Sequence, residues 1–411
     1  MIKKILMSCA LLVSSFGQIY GMYLMRPYEQ MLRPEMRPDY CFQMSLLGEH
    51  GFNTLGLDED GNKVNVLRIW NQDQNALKML EGFDPASPIG QRRILIGAND
   101  DGVRGHFDVH GDLDYQFGCA FSGRLGFCHG LSVSAYLPYY RIKLTNVSWH
   151  EKTLNLTADD ARVKSYLTND FFANVAQLGG LNLQGWSRAG IGDLTLMAEW
   201  IGDFKQKKDL LHNVRLQARL ALLVPTGKKG DEDLIFALPF GNDGAFGLLL
   251  GGGLTLTIAC YLRLGVDVEL THLFSTTRTR RIKTQRDQTE LLLLQKADVL
   301  RDYGLLQRFN VYAELYRILG GLSCKVGYQF FRHNDDTFTV CSSQFSTAIA
   351  NTAKSLEEWT LHNMFFIMSY DGEHDECKKV HPYVSAYVKI PFNGQFMSSF
   401  KTVGLMISLD F

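Results

Sequence analysis

Asn213-Val214-Arg215-Leu216-Gln217-Ala218-Arg219-Leu220-Ala221-Leu222-Leu223-Val224 decides how this chain folds. Val214, Leu216, Ala218, Leu220, Leu222 and Val224 take every second position, and Asn213, Arg215, Gln217 and Arg219 stand between them. A strand sends successive side chains to opposite faces, so a period of two is a β signal, whereas a helix would scramble the two rows. The same period recurs at 107–121 (Phe107, Val109, Leu113, Tyr115, Phe117, Cys119, Phe121), at 125–137, and at 188–201. It returns at 245–258 and at 262–274, where Leu262, Leu264, Val266, Val268 and Leu270 back onto Arg263, Asp267 and Glu269. Segments 304–319, 321–332, 359–371 and 380–391 follow it less cleanly, and 40–47 and 400–411 bring the expected strand count to twelve.

Soluble β-sandwiches alternate too, so the connections have to discriminate. Long and short links largely take turns along the chain, which puts the bulk on one rim and tight turns on the other, as in outer-membrane barrels. Hydrocarbon has no partners for peptide groups, so a sheet crosses it only when closed. The expected fold is therefore all-β: a transmembrane antiparallel up-and-down barrel over 39–411, with long external loops and short periplasmic turns. Gly244–Leu262 carries no charge and is long enough for a membrane helix, but Gly251-Gly252-Gly253 inside it argues for two strands instead. Val403, Leu405, Ile407, Leu409 and Phe411 alternate in the last strand. That row resembles the carboxy-terminal signal of outer-membrane barrels, which implies the barrel assembly machinery as a partner beside outer-membrane lipid.

Met1-Ile2-Lys3-Lys4 followed by an uncharged apolar run to Phe16 reads as a signal peptide, 1–17, with small residues at Ser15 and Gly17 for cleavage. Residues 18–38 are then expected to be an N-terminal periplasmic segment, and the cell outer membrane is the expected address. Composition agrees: of 411 residues 46% are hydrophobic, 21% charged, and 42 basic residues face 43 acidic ones. No global pull toward nucleic acid exists at a net charge of −1. With Cys9 in the leader, Cys41, Cys119, Cys128, Cys260, Cys324, Cys341 and Cys377 contain no CxxC pair and form neither a zinc motif nor a disulfide framework.

A twelve-stranded lumen is wider than one filled by its own side chains and narrower than an open porin. The polar rows place Asp108, His110, Asp112 and Asp114 on the inner wall, together with Arg215, Arg219, Asp267 and Glu269. Opposed acidic and basic ladders would orient polar solutes, or neutralise each other as a structural network. The long connection 48–104 holds a turn at Asp58–Gly61, a short strand at Val64–Trp70 and a short helix at Gln74–Glu81, and is a candidate plug or constriction. Arg278, Arg280, Arg281, Lys283 and Arg286 make a basic external loop, expected to be solvated.

Gly190-Ile191-Gly192-Asp193-Leu194 opens one strand, and Val224-Pro225-Thr226-Gly227 closes the next. This pair of motifs resembles the outer-membrane proteins of the phenol meta-degradation family, over about 190–260. The resemblance implies a barrel that admits small hydrophobic or aromatic compounds.

No enzyme is expected. Outer-membrane phospholipases carry a histidine and a serine two residues apart on one strand, but beyond His129 position 131 is Leu, which removes the nucleophile. His333-Asn334-Asp335-Asp336 and Asp371–Glu376 are explained by turn chemistry without a metal, and no cofactor is expected. The function expected is a channel or uptake protein for small solutes. The alternative is a structural or adhesive surface barrel with a blocked pore.

Overall fold

The computed structural model describes residues 28–37, 39–259, 261–372 and 380–411. The expected signal peptide, Cys9, Cys260, Cys377 and most of the acidic turn after Asp371 lie outside the described residues. Twelve long strands follow in chain order: β1 (Phe42–Leu57), β2 (His106–Gly126), β3 (Leu131–Glu151), β4 (Leu194–Lys205), β5 (Leu211–Val224) and β6 (Gly247–Ile258), then β7 (Leu262–Leu273), β8 (Leu306–Leu319), β9 (Leu322–His333), β10 (Trp359–Asp371), β11 (His381–Gln395) and β12 (Met397–Asp410). Each pairs antiparallel with the next, and β1 pairs with both β2 and β12, from Gln43↔Asp410 to Leu57↔Met397, so the sheet closes into a barrel. The glycine-rich stretch is the hairpin β6–β7, turning at Ala259 and Tyr261.

The apolar row of β5 points outward: Leu216, Leu220 and Leu222 are exposed, as are Leu264, Val266, Val268 and Leu270 on β7 and Val403, Leu405 and Ile407 on β12. Such a continuous greasy exterior is stable only against lipid. Links 127–130, 206–210 and 320–321 gather on one rim, where Ile258 and Leu262, and Asp371 and His381, also end their strands. Links 58–105, 152–193, 225–246, 274–305 and 334–358 gather on the other, where Phe396 alone separates β11 from β12.

Several boundaries differ from expectation. β1 runs on to Leu57, so the long link starts at 58 and not 48. Val64–Trp70 is a 3₁₀ turn, Val66–Arg68, because Asn65 caps it by accepting from the Leu67 N–H. The expected helix at Gln74–Glu81 is a single 3₁₀ turn, Lys78–Leu80, and a longer helix, α1 (Pro88–Ile96), starts on Pro88 with Ser87 as N-cap. Strand 188–201 is broken at Gly192–Asp193 into Trp186–Ile191 and β4, both paired with β3.

β1 and β2 pair only from Phe42↔Leu125 to Glu49↔Gly118. Above that level the wall between them is completed by 63–75: Val64 pairs with Gly56, and Gln74 with Phe107. The Asn65 carboxamide accepts from the Gly111 N–H at 3.2 Å and donates to its C=O at 3.0 Å, standing in for a missing strand. The basic loop is no solvated arc either. Thr276–Arg281 pairs with Lys296–Asp302, which pairs with Thr337–Val340, in a three-stranded sheet on the long-loop rim.

Candidate pore and vestibule

Read along β5, the inward residues are Arg215, Gln217 and Arg219 in the lower bore, then Ala221 and Leu223. Along β7 they are Asp267, Glu269 and Thr271, then Leu273. The bore thus has a charged lower tier and an apolar upper tier. In the lower tier Arg219 bonds Asp267 and lies 3.8 Å from Glu269, and Arg308 on β8 bonds Glu269. Asn310 donates to Asp267 at 3.0 Å. Between β5 and β7 the facing residues on β6 are Gly251, opposite Arg219, and Gly253. A Cβ on Gly251 would sit 3.0 Å from the Arg219 guanidinium, and one on Gly253 3.1 Å from the Asp267 carboxylate. The triple glycine clears the floor on which this ion pair crosses a strand.

Residues 28–37, from the expected periplasmic segment 18–38, run down the inside of the barrel as a strap, and each of their charges finds an opposite charge on the wall. Glu29 lies 3.3 Å from Lys389 on β11 and 3.8 Å from Arg308. Arg33 reaches Glu199 on β4 at 2.5 Å, and Glu199 is held from its other side by Arg124 of β2 at 2.7 Å. Glu35 bridges Arg215 at 2.6 Å and Arg263 at 2.7 Å, and Arg215 also bonds Asp203. Arg37 meets Asp371 at 3.0 Å near the short-turn rim. At the upper end Tyr28 packs edge-on against Tyr136, in a cluster with Leu223, Leu249 and Leu273. Glu49 accepts from Tyr115 of β2 at 2.9 Å and from Tyr387 of β11 at 2.6 Å.

Of the expected lumen residues, the structure brings together Arg215, Arg219, Asp267 and Glu269. Asp108, His110, Asp112 and Asp114 it places elsewhere. A register shift between Tyr115 and Phe117 inserts one residue and reverses the phase of β2. Above it Phe107, Val109, Leu113 and Tyr115 point inward and are buried, so the acidic row faces out. Asp108 there pairs with Lys152 at 2.9 Å, His110 meets Arg68, and Asp112 accepts from Asn146 at 2.7 Å. Below the shift Phe117 and Phe121 face outward, exposed. Val403, Leu405 and Ile407 lie on the outer face. Leu409 pairs with Met44, and the Phe411 C=O accepts from the Phe42 N–H at 3.3 Å.

The long loops fill part of the upper tier. Val66, Leu67, Met79 and Leu80 join Phe107, Val109, Leu113, Ile142 and Leu144 in one apolar core, which packs the 58–105 link against β2 and β3. Beside it an open vestibule of about 540 Å³ remains, with Tyr28 at the strap's tip and walls from Trp70, Tyr140, Phe236, Phe240, Arg280, Arg301, Tyr303 and Asp336. Trp70 and Phe236 pack at 5.4 Å, Tyr140 and Phe240 at 5.8 Å.

The two motifs of the family resemblance meet at this rim. Asp193 accepts from the Gly227 N–H at 2.9 Å and the Asn242 N–H at 2.5 Å. Thr226 donates to the Gly192 C=O at 3.0 Å and accepts from the Leu194 N–H at 2.9 Å. They are a tie between β4 and the 225–246 loop. The next anchor is Asp243, which holds Arg278 at 2.5 Å, Arg280, and the Gly230 N–H at 2.9 Å. Burial pushes the Asp243 carboxyl up, but Arg280, Arg278 and the Gly230 N–H outweigh it and hold it below the ordinary carboxylate range.

No protein-family model matches the chain, and no curated relative does. Among solved structures, an outer-membrane channel from Pseudomonas putida F1 aligns over 94% of this chain and 100% of its own at 12% identity and a TM-score of 0.49. The toluene transporter TodX of Pseudomonas putida aligns over 96% of each chain at 9% identity and a TM-score of 0.36. A toluene transporter of Ralstonia pickettii aligns over 90% of this chain and 89% of its own at 9% identity and a TM-score of 0.31.

Proposed function

We propose that this chain is a channel or uptake protein of the outer membrane of a diderm bacterium, passing small solutes through a bore that its own 28–37 strap closes. The observation that carries the reading is the relation of strap to wall. Arg33 and Glu35 bind wall residues that keep another partner without them: Glu199 has Arg124, and Arg215 has Asp203. A segment needed to complete the barrel would leave its partners bare, whereas withdrawal of this one would leave Glu199, Arg215 and Arg263 each with a wall partner and would take Glu29 from Lys389. Arg215, Arg219, Asp267 and Glu269 would then face the passing solute. The aromatic vestibule, and the implication of the Gly190–Leu194 and Val224–Gly227 motifs, favour hydrophobic or aromatic solutes. Residues 1–17 would direct export, and Val403 to Phe411 would be read by the assembly machinery.

A surface barrel with a blocked pore is the second reading, favoured by the apolar packing of the 58–105 link across part of the mouth. Planar-bilayer recording of the full chain and of a chain lacking 18–37 separates the two. Discrete conductance steps that lengthen or enlarge on strap removal support the channel. Silence from both proteins, each shown folded by heat-modifiable gel mobility, supports the surface role.

A further inference from the structure

The vestibule wall carries both charges, so partner accounting is needed to tell what it would bind. Asp193 is taken by two backbone N–H groups, Asp336 by Arg301 at 2.9 Å and the Gly304 N–H at 2.7 Å, and Glu290 by Lys283 at 3.1 Å and the Ser355 hydroxyl at 2.8 Å. Asp243 is shared between Arg278 and Arg280. Arg280 is 5% exposed, gives one N–H to the Tyr303 hydroxyl at 3.2 Å, and keeps its Nε without an acceptor. Among the described residues lining the cavity it is the one with a buried polar side-chain atom left unpaired. A buried guanidinium N–H with no acceptor is costly; the Nε is enclosed as the side chain stands, and a small shift of the guanidinium toward the cavity would let a ligand oxygen remove that cost. Around the same space stand aromatic rings from four separate segments: Tyr28, Trp70, Tyr140, and Phe236 with Phe240.

We propose that the vestibule binds a small aromatic carboxylate, with the carboxylate on Arg280 beside the Tyr303 hydroxyl and the ring against the Trp70–Phe236 wall. This deepens the channel reading and rests on it for its purpose: the bound anion is the solute presented to the bore. The cavity has the volume of an ordinary small-molecule site. Asp231, Glu232 and Glu357 also line it, which makes an aromatic cation the ligand to test against.

Equilibrium dialysis of the full folded chain in detergent, with labelled benzoate, tests the site. Benzyl alcohol keeps the ring without the charge, hexanoate keeps the charge without the ring, and benzylammonium reverses the charge. Saturable benzoate binding about ten- to a hundredfold tighter than any of the three is expected. Arg280→Gln should erase the preference over benzyl alcohol, and Arg280→Lys should keep part of it. Asp243 retains Arg278 and the Gly230 N–H in either variant, and heat-modifiable mobility reports whether each has folded. Equal binding of benzoate and benzyl alcohol, preference for benzylammonium, or benzoate binding untouched by Arg280→Gln in a folded barrel would each overturn the proposal. Conductance without benzoate binding sinks this site alone; benzoate binding by a barrel silent with and without its strap sinks the channel reading alone.

Discussion

Arg33→Ala with Glu35→Ala is the sharpest perturbation of the strap, because it removes the strap's own side chains and spares the wall. Arg33 and Glu199 keep only 5% and 2% of their side-chain surface, so their bond is nearly dry. A charge-assisted bond in that setting is worth about 3 kcal/mol at the upper end of the usual range. Glu35 is different: its side chain keeps 47% of its surface toward the bore, water screens it, and about 1 kcal/mol is the most its bridge to Arg215 and Arg263 can supply. Together the two substitutions remove about 4 kcal/mol of strap docking, which is roughly a thousandfold shift toward the undocked strap. Glu199 keeps Arg124 at 2.7 Å, Arg215 keeps Asp203 at 2.9 Å and Arg263 keeps Glu314 at 3.7 Å, so barrel stability should change little. In planar bilayers the double variant should show open dwell times far longer than the unsubstituted protein at the same voltage and salt. Raising the salt should narrow the difference only slightly, because it screens the exposed Glu35 bridge and leaves the dry Arg33–Glu199 bond. An unchanged open fraction in a variant that still migrates as a folded barrel before heating would refute the claim that these contacts hold the pore shut.

Three further expectations test the frame around the bore. Asp193→Ala removes the acceptor of two backbone N–H groups and should cost about 2–3 kcal/mol, with trypsin cutting sooner at Lys228 and Lys229; equal cutting rates would deny the tie. Gly321→Ala puts a Cβ 2.0 Å from the Asp371 carbonyl oxygen at φ +103°, so the β8–β9 turn should lose at least about 2 kcal/mol, read as a lower urea midpoint for the heat-modifiable band. Asp243 is held below its ordinary pKa, so its contribution is full above the unfolded value of about 3.9 and drains away as the pH falls below it toward the folded value. Pepsin should therefore nick the 225–246 loop increasingly from about pH 4 downward, and Asp243→Asn should flatten that dependence.

Side-chain period revealed the strands, their number and the crowded rim, because lipid outside and charge inside impose opposite demands on alternate residues. It failed where those demands trade places. On β2 the apolar series Phe107 to Phe121 runs unbroken through odd numbers, yet it belongs to two surfaces: the inner core above the register shift and the lipid face below it. An inserted residue is invisible when both sides of it are greasy. Excess length was the available signal, since β2 spans 21 residues and about ten suffice to cross. The strap escaped for another reason. Arg33, Glu35 and Arg37 do take every second position, but the run is too short to read as a strand face, and its meaning lies in wall residues far along the chain.

The division of the bore into two tiers also constrains how it can open. The lower tier is charged, and if the strap withdraws as proposed, Lys389 loses Glu29 while Arg263 and Glu199 each lose one of two partners. Buried ions without partners cost several kcal/mol each unless water replaces what was lost. Release of the strap is therefore tied to wetting of the lower bore, and a dry open state is excluded on energetic grounds. The upper tier has the opposite character, and there Tyr28 belongs to both parts: it packs with Tyr136, Leu223 and Leu273 to seat the strap, and it lines the vestibule. A solute that reaches the vestibule meets the tip of the strap before it meets any bore charge. An occupant that competes with Tyr28 for Leu223 and Leu273 would weaken the apolar half of strap docking and leave only the ionic half to hold it. On the proposed function, solute entry and strap release would share one set of contacts, and the binding of one would bias the other.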